Sequence, residues 1–471
     1  MAGCICQDCE GIVIAIDSTI DLKQLREPID ALFALSASKI RSLQKSWTPS
    51  RGAPVFTVEG LYTSRGWTEW TQGFLFGSSL LQFDATGEKE FLEIGRTGTV
   101  GHMAPHVSAT GVHDHGFNNV STYGNLHRLM REGRIPANEG ERIFYELALK
   151  VSGAVQASRW TDLGNGAGYI CSFNGAQSLF ADTVRSLRSL ALSHQLGHVL
   201  MGERDAKIPL LGRLIRHAES TAKYNVYFGE GRDIYDVRGR VAHESIFNVR
   251  DGSYRCPSSQ QGYSPFTTWT RGLAWIICGY AEEAEFIAAL PDESLTEYGG
   301  KANVLDTFLR TAEATADFYI ENTPADGVPY WDTGAPGLAR LGDYLGRPAD
   351  PFNGEEPVDS SAAAIAAQGL IRLGNYLKSA GRGTDGERYF NAGLTVARTL
   401  FSEPYISTGS AHQGLLLHSV YHRPNGWDHV VPGRKIPSGE SSMWGDYHAR
   451  ELALLLMRME EKKPYYRFFI A

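Results

Sequence analysis

The chain has 471 residues, of which 42% are hydrophobic and 11% aromatic, so it can bury a large core. Its formal net charge is −8 and no run of basic residues stands out, which excludes the electrostatic footprint of a nucleic-acid-binding protein. Charged residues interrupt the longest apolar stretches before they reach the length of a membrane span. We therefore expect a soluble protein with no nucleic-acid or membrane partner, acting as a monomer or homodimer.

Residues 1–20 are predicted to form an N-terminal tail. Its apolar run is too short for the core of a signal peptide and follows acidic residues, so we expect a cytoplasmic protein. Cys4, Cys6 and Cys9 cluster in this tail without a fourth ligand nearby, which favours free thiols over a metal site. Residues 21–471 are then predicted to form a single domain.

Amphipathic helical patterns recur along the chain, whereas alternating strand patterns are scarce. Apolar residues at three- and four-residue spacing predict helices in 22–43, 139–160, 304–320, 362–377 and 451–459. About a dozen helices fit the chain if each hairpin, with its long loops, takes roughly 60 to 70 residues. We predict an all-α fold, an (α/α)6 barrel of helical hairpins, with an irregular helical bundle as the alternative.

Two aspartates lie where the chain can present a carboxylate at the lip of a cavity. Asp114 lies in the segment His-Asp-His-Gly-Phe, just before a glycine that permits a tight turn, and Asp182 begins an amphipathic helix. Helix capping is the alternative for both. A general acid needs a pKa raised by burial or by a second carboxylate, and Asp114 can supply that charge to Asp182. His113 and His115 flank Asp114, but their alternation suits a strand better than a helical chain, so we predict no metal site.

The groups needed to hold a carboxylated sugar follow in later loops. Arg271 can pair with a carboxylate, and Gln261 and His243 can form hydrogen bonds with hydroxyl groups. Trp275, together with Trp70 from an earlier loop, offers flat apolar surface for a sugar ring, and Trp67 is a weaker choice for the same role. Core packing is the alternative for the tryptophans.

Taken together, these segments resemble the unsaturated glucuronyl hydrolases, glycoside hydrolase family 88. The resemblance rests on motifs that run in family order from about residue 60 to the end of the chain. They are H-D-x-G-F at 113–117, the aspartate at 182, Q-G-Y and W-x-R-G-x-A-W within 261–275, D-S-S-A at 359–362 and G-E-S-x-x-W-G-D-Y at 439–447. Membership implies an (α/α)6 barrel and a hydrolase that needs neither metal nor cofactor.

The resemblance also implies a substrate and a mechanism. The implied partner is an oligosaccharide whose non-reducing end is a 4,5-unsaturated glucuronic acid left by a polysaccharide lyase. An aspartate protonates C4 of the vinyl ether and activates water to attack C5, and the resulting hemiketal opens to release the aglycone. By motif, Asp182 is the implied general acid and base and Asp114 its partner. The expected substrate-binding residues are Trp70, His115, His243, Gln261, Arg271 and Trp275.

This chain departs from the family pattern in two places, and each departure limits what the resemblance implies about function. The segment 421–440 is longer than in bacterial members, so no aglycone preference follows. Arg185 and Arg188 follow Asp182 where uncharged residues are expected, so the resemblance does not show how the pKa of Asp182 is set. The alternatives are an unsaturated rhamnogalacturonyl hydrolase with the same chemistry, an (α/α)6 sugar epimerase that uses histidines, and a non-catalytic carbohydrate-binding barrel.

Overall fold

The structure is a computed structural model, which describes residues 14–66 and 69–469. Its α-helices are α1 (Arg26–Ser46), α2 (Gln72–Thr86), α3 (Lys89–His102), α4 (Ala104–Val107), α5 (His115–Asn119), α6 (Asn125–Arg131), α7 (Glu139–Ser158), α8 (Thr183–Ser186), α9 (Arg188–Gln195), α10 (Leu210–Tyr224), α11 (Thr270–Ala289), α12 (Lys301–Glu321), α13 (Ser360–Ser379), α14 (Gly383–Leu400) and α15 (Met443–Glu460). The strands are β1 (Pro54–Val58), β2 (Leu61–Ser64), β3 (Trp160–Gly164), β4 (Ala167–Ile170), β5 (Ser178–Phe180), β6 (Val199–Met201), β7 (Lys207–Pro209), β8 (Glu244–Phe247) and β9 (Tyr254–Ser258).

The long helices alternate along the chain between an outer and an inner ring. The outer ring consists of α1, α3, α7, α10, α12 and α14, which bury one face and expose the other. The inner ring consists of α2, α5 with α6, α8 with α9, α11, α13 and α15, which are buried on almost every side. Contact between α15 and α2 closes the inner ring. This arrangement confirms the predicted (α/α)6 barrel.

Two of the six inner elements are interrupted, and both carry a predicted catalytic aspartate at their start. A π-helical turn, Val120–Gly124, separates α5 from α6, and Leu187 separates α8 from α9. Gly116 lets the two elements approach, because a Cβ there would collide with the backbone of Ser186, and its N–H donates to Ser186 Oγ at 2.8 Å. This close approach holds α5 and α8 side by side at one end of the barrel.

The predicted helices all exist; four of them begin and end within a few residues of the predicted bounds, whereas the helix predicted in 451–459 is α15, which already begins at Met443. The predicted scarcity of strands is also confirmed, since the described strands form four small antiparallel sheets of two or three strands. No helix in the described part of the chain has the length and apolar character needed to cross a bilayer.

The described part of the predicted N-terminal tail, residues 14–20, packs against the barrel. Ile14 and Ile20 are buried, and the Ile14 N–H donates to the carbonyl of Ile320 in α12. Asp17 forms an ion pair with Arg398 of α14. Residues 14–20 therefore contact α12 and α14. The clustered cysteines at positions 4, 6 and 9 lie outside the described residues.

Candidate active site

A cavity of about 300 Å³ lies at the end of the barrel where α5, α8 and α11 begin. Most of the predicted site residues line it: Trp70, Asp114, Asp182, Gln261, Arg271 and Trp275. His115 and His243 are not part of the lining. Residues outside the set expected to be catalytic or to bind substrate complete the walls, among them Phe173, Gln260, Trp269, Tyr421, His422 and Trp427. The fold thus brings together side chains that lie more than 350 residues apart in the chain.

Asp114 and Asp182 both lie close to one ring nitrogen of His113. Neither aspartate caps the helix that it precedes, so the capping alternative is wrong for both. Nε2 of His113 lies 3.7 Å from Oδ1 of Asp114 and 3.5 Å from Oδ1 of Asp182. All three residues are at least nine-tenths buried. The two carboxylates and the imidazole therefore form one cluster of interacting acids and bases.

The three groups shift each other's pKa. Burial raises the pKa of Asp114, and the charge of Asp182 adds to this. Burial also acts to raise the pKa of Asp182, but His113 and His243 more than offset it and hold this pKa below its usual value. Burial acts to lower the pKa of His113, but the two carboxylates raise it above its usual value. The expectation that Asp182 has the raised pKa is therefore wrong for the free protein, in which His113 and Asp114 hold the proton more strongly.

His113 is the main site residue for which the sequence predicts no role. Its ring stacks on Phe173, with centroids 5.7 Å apart, and meets the edge of Phe180 at 5.6 Å. Neither ring nitrogen has a hydrogen-bond partner among the described residues. The position next to Asp114 was the available signal, but adjacency in sequence does not show that the ring also reaches Asp182.

His243 lies just behind the cavity wall. Its ring packs against Phe180 at 4.4 Å and Trp269 at 4.9 Å. Nδ1 accepts a hydrogen bond from the Gln260 N–H at 3.0 Å, and burial lowers the pKa of His243, so the ring is neutral with its proton on Nε2. Because Nε2 has no partner in the described part of the chain, His243 offers one buried N–H donor.

His115, predicted to bind substrate, is not among the residues that line the cavity, and both of its ring nitrogens have partners within the protein. One ring nitrogen pairs with Ser152 Oγ at 3.0 Å and the other with the carbonyl of Ala109 at 2.9 Å. Burial lowers the pKa of His115 to about 4. The residue instead fixes the loop that carries Ala109, which lines the cavity. No group of three or more potential metal-ligating side chains occurs among residues 14–66 and 69–469.

Arg271, at the start of α11, is held by four hydrogen bonds. Nη1 donates to Asp359 Oδ2 at 2.7 Å and to the Val420 carbonyl at 2.6 Å. Nη2 donates to Gln261 Oε1 at 3.2 Å and to the Tyr421 carbonyl at 2.8 Å. Nε makes no hydrogen bond with the described residues, so it is the donor open to a ligand. A two-pronged grip on a carboxylate, as predicted, requires Gln261 to release Nη2.

Both predicted tryptophans line the cavity, and each also packs against the protein. Trp70 stacks on Trp444 with ring centroids 5.1 Å apart. Trp275 packs against Phe117 at 4.8 Å and is only 2% exposed. Both tryptophans therefore pack within the protein and also border the cavity, and their contact with a ligand stays a prediction. Trp67, a weaker choice for the same role, lies outside the described residues.

Comparison with known proteins gives relatives of one kind, although no family model matches the chain. An unsaturated glucuronyl hydrolase from Formosa agariphila is 27% identical over 239 residues, which cover 50% of this chain and 46% of that protein. Another from Bacillus sp. strain GL1 is 26% identical over 219 residues, covering 46% of each chain. An unsaturated chondroitin disaccharide hydrolase from Streptococcus pneumoniae is 23% identical over 404 residues, covering 84% of this chain and 83% of that protein.

Solved structures give a match over almost the whole chain. An unsaturated glucuronyl hydrolase specific for heparin superposes with a TM-score of 0.68 at 20% identity, covering 93% of this chain and 98% of that one. The enzyme from Bacillus sp. GL1 gives a TM-score of 0.67 at 22% identity, covering 94% and 97%. The enzyme from Streptococcus agalactiae gives 0.66 at 19% identity, covering 97% and 99%.

The predicted resemblance to unsaturated glucuronyl hydrolases is confirmed by both comparisons. The structural match shows that the chain shares the barrel fold of these enzymes. The sequence match spans about half the length of the first two curated relatives.

Proposed function

We propose that the protein is a glycoside hydrolase that releases 4,5-unsaturated glucuronic acid from the non-reducing end of lyase-generated oligosaccharides. The observation that carries the proposal is the cluster of Asp114, His113 and Asp182, whose two carboxylates line a cavity that also presents Arg271. The similarity to unsaturated glucuronyl hydrolases supports the same substrate and reaction. Glucuronyl and chondroitin hydrolases are among the relatives, which favours this activity over that of a rhamnogalacturonyl hydrolase.

Asp182 is the general acid and base of the proposed reaction. Its carboxyl proton adds to C4 of the vinyl ether while positive charge develops at C5 and the ring oxygen. The Asp182 carboxylate then takes a proton from the water that attacks C5, which returns the enzyme to its starting state. The product carries a hydroxyl group on C5 as a hemiketal. Opening of the ring breaks the C5–O5 bond, which gives a ketone at C5 and a hemiacetal at C1, and breakdown of this hemiacetal to an aldehyde releases the aglycone as an alcohol.

The proton that Asp182 delivers comes from the cluster. In the free protein the pKa of Asp182 is lowered by His113, whereas the pKa values of Asp114 and His113 are raised. A bound uronate displaces water and brings a further negative charge, both of which raise the pKa of a nearby carboxylate. His113 therefore stores the proton near neutral pH and passes it to Asp182 when substrate fills the cavity.

The remaining residues hold the uronate. Arg271 presents Nε and, after Gln261 moves, Nη2 to the substrate carboxylate. His243 donates from Nε2, and Trp70 and Trp275 border the space for the sugar ring. A neutral donor such as His243 holds a hydroxyl group without competing with Arg271 for the carboxylate.

The test follows the loss of the conjugated double bond by ultraviolet absorbance on a panel of lyase-generated unsaturated disaccharides. We expect decay of the signal with release of the second sugar. Asp182→Asn should lose at least about 1,000-fold in kcat, because proton transfer to carbon needs this carboxyl, while substrate binding measured by calorimetry persists. A loss of only a few fold, or turnover without decay of the double bond, would move the epimerase alternative ahead.

We also propose a cytoplasmic location for the enzyme. Cys171, Cys256 and Cys278 are free thiols, and one of them is fully buried. Unpaired cysteines are typical of a reducing compartment, in which disulfides do not persist.

A further inference from the structure

A second cavity, with a volume of about 690 Å³, lies between the outer helices α1 and α3. Side chains of α2 and α15 also line it, and its volume falls well within the range of ligand pockets, roughly 300 to 1,000 Å³. Glu69 and His106 border both cavities. Asp114, Asp182 and Arg271 line only the catalytic one, so a ligand of the second cavity has to be recognised by other groups.

Large apolar side chains from three helices line the second cavity. They are Ile40 and Leu43 of α1, Phe76 of α2 and Ile94 of α3, and Trp47, which follows α1, adds an indole ring. Contact with such side chains removes apolar ligand surface from water, which is worth roughly 25 cal/mol for each Å². These walls therefore suit the hydrocarbon part of a ligand.

Arg450, in α15, brings a guanidinium group with an unused donor to the lining. The residue is 3% exposed; its Nε donates to Ser36 Oγ at 2.7 Å and its Nη1 to Ser78 Oγ at 3.4 Å. Nη1 also lies 3.9 Å from Asp446 Oδ2. Nη2 makes no hydrogen bond with the described residues. Because a buried donor without a partner costs free energy, Nη2 is a group that a ligand oxygen would satisfy.

The buried charges on this lining do not balance. Lys39 is 3% exposed, and its ammonium group donates to one hydroxyl and two carbonyl oxygens, all of them neutral. Among the described residues, Asp446 is the carboxylate that acts on both Lys39 and Arg450. Burial lowers the pKa of both cations, and Asp446 offsets only part of this effect. Two buried cations thus share one carboxylate, which leaves an excess of one positive charge.

The other carboxylates on the lining do not cancel this excess. Glu93 already forms an ion pair with Arg96. Glu69 is exposed, so water and salt screen its charge. Charges that are buried interact more strongly than charges in water, because the surrounding dielectric constant is lower. The buried groups of the cavity therefore favour a ligand with a single negative charge.

We propose that the second cavity binds a monocarboxylate with an apolar body, of the kind represented by a medium-chain fatty acid. The carboxylate accepts a hydrogen bond from Nη2 of Arg450 and balances the excess charge, while the hydrocarbon lies against the apolar walls. A carboxylate suits this guanidinium better than a hydroxyl group does, because the hydrogen bond is then charged on both sides. Such a ligand is neither a substrate nor a product of the proposed hydrolysis, so the inference does not depend on the proposed function.

The experiment measures the dissociation constants of octanoate, 1-octanol and octylammonium by isothermal titration calorimetry. The three probes share one hydrocarbon chain and differ in the charge of the head group, so they separate recognition of charge from apolar burial. Arg450→Met keeps an apolar stem and removes the cation. Arg271→Ala removes the cation of the catalytic cavity instead, and circular dichroism verifies that each variant is folded.

A second pair of variants tests the location of the bound probe. Thr97 lies on the exposed side of α3 and lines the second cavity, so Thr97→Trp fills part of that space without disturbing the core. Val100, on the same helix, is 48% exposed and outside the lining, which makes Val100→Trp the matched control. This pair decides the location even if Arg450→Met does not fold.

In the wild-type protein, octanoate should bind at least about tenfold more tightly than 1-octanol, and octylammonium no more tightly than 1-octanol. Arg450→Met should remove the preference for octanoate, and Thr97→Trp should weaken octanoate binding at least about tenfold. Val100→Trp and Arg271→Ala should keep the wild-type affinity.

Equal affinities for octanoate and 1-octanol, or no binding of octanoate, would overturn the inference. Unchanged octanoate binding in Thr97→Trp, or its loss in Arg271→Ala, would also overturn it, because the anion would then lie elsewhere. None of these measurements involves turnover, so the proposed hydrolase activity stands or falls separately.

Discussion

At the scale of single residues, the surroundings of His113 determine how the two aspartates ionise. Burial and the charge of Arg159 act to lower the pKa of His113, whereas Asp114 and Asp182 raise it. The other ionisable groups that interact with its ring are the buried histidines His115, His217 and His243, whose own pKa values burial lowers. These neighbours are neutral near pH 7, so the one positive charge in contact with both carboxylates is that of His113.

The first prediction follows from this proton balance. Turnover needs one proton in the cluster, and at alkaline pH that proton is lost from His113, whose pKa is raised. In His113→Asn only the carboxylates can hold it, so the alkaline limb of the kcat/KM profile should move to lower pH by about one unit or more. The measurement is kcat/KM from about pH 5 to about pH 9.

His115→Asn is the control for this variant, since His115 is equally buried but bonded to Ser152 and Ala109. The His115→Asn variant should be less stable than wild type but should leave the alkaline limb of the kcat/KM profile at the same pH. If His113→Asn lowers kcat/KM by the same factor at every pH, His113 only supports the packing of the site.

At the scale of elements, Arg271 joins three parts of the barrel. It lies in the first turn of α11, pairs with Asp359 at the start of α13 and donates to carbonyls of the loop before α15. Asp359 is fully buried and also accepts from the N–H of Ser361. Arg271 therefore has a structural role in addition to the proposed binding of the uronate.

The second prediction separates these two roles. Arg271→Ala should raise KM by at least about tenfold through the lost carboxylate contact. It should also lower the free energy of unfolding by about 3 kcal/mol, because Asp359 keeps a buried charge without its partner. Arg271→Lys restores a cation for Asp359 but not the planar fork, so it should raise KM with a smaller loss of stability. Urea unfolding and steady-state kinetics measure the two effects, and equal KM values for Arg271→Lys and wild type would exclude the carboxylate contact.

Periodicity predicts the outer helices of the barrel better than the inner ones. The sequence shows α7 and α12 clearly, because each has one apolar face and one polar face. The inner element of α5 and α6 is buried on every side and interrupted by Val120–Gly124, so it has no two-sided pattern to detect. The pairing of helices into two rings depends on contacts between distant residues, which spacing within one helix does not encode.

Family motifs were enough to predict which aspartates belong to the site. They were not enough where the role of a residue depends on the direction in which its side chain points. Asp114 and Asp182 both line the cavity as the family motifs implied. His113 and His115 lie two residues apart at the start of one helix, and the sequence does not tell which ring faces the carboxylates. The sequence analysis favoured His115, whereas in the structure the ring of His113 lies beside the two carboxylates.

At the scale of the whole molecule, a network of buried charges fills the centre of the barrel. Arg185 and Arg188, unexpected in the helices after Asp182, turn into this network and pair with Glu282 and Glu451. Both arginines are at most 1% exposed. Their charges lower the pKa of Glu451 to about 2, although burial acts to raise it. The basic residues thus serve to join the inner helices.

Glu283 is the member of this region that lacks a partner, and it carries the last prediction. Both carboxyl oxygens are without hydrogen bonds among the described residues, and burial raises the pKa from 4.5 to about 8, with Arg185 and Arg188 offsetting only part of this. The unfolded chain therefore loses this proton near pH 4.5 while the folded protein keeps it up to about pH 8, so folding stability falls as the pH rises through that window.

Glu283→Gln keeps the shape of the protonated acid and removes its titration. We expect the variant to be more stable than wild type at pH 7, by about 1 to 3 kcal/mol, and to differ little from it below pH 4.5. Urea unfolding at both pH values measures the difference. Glu282→Gln is the contrast, because it breaks the pair with Arg185 and should lower stability at pH 7. An equal or lower stability of Glu283→Gln at pH 7 would mean that Glu283 is ionised in the folded barrel, held by the arginines of the central network.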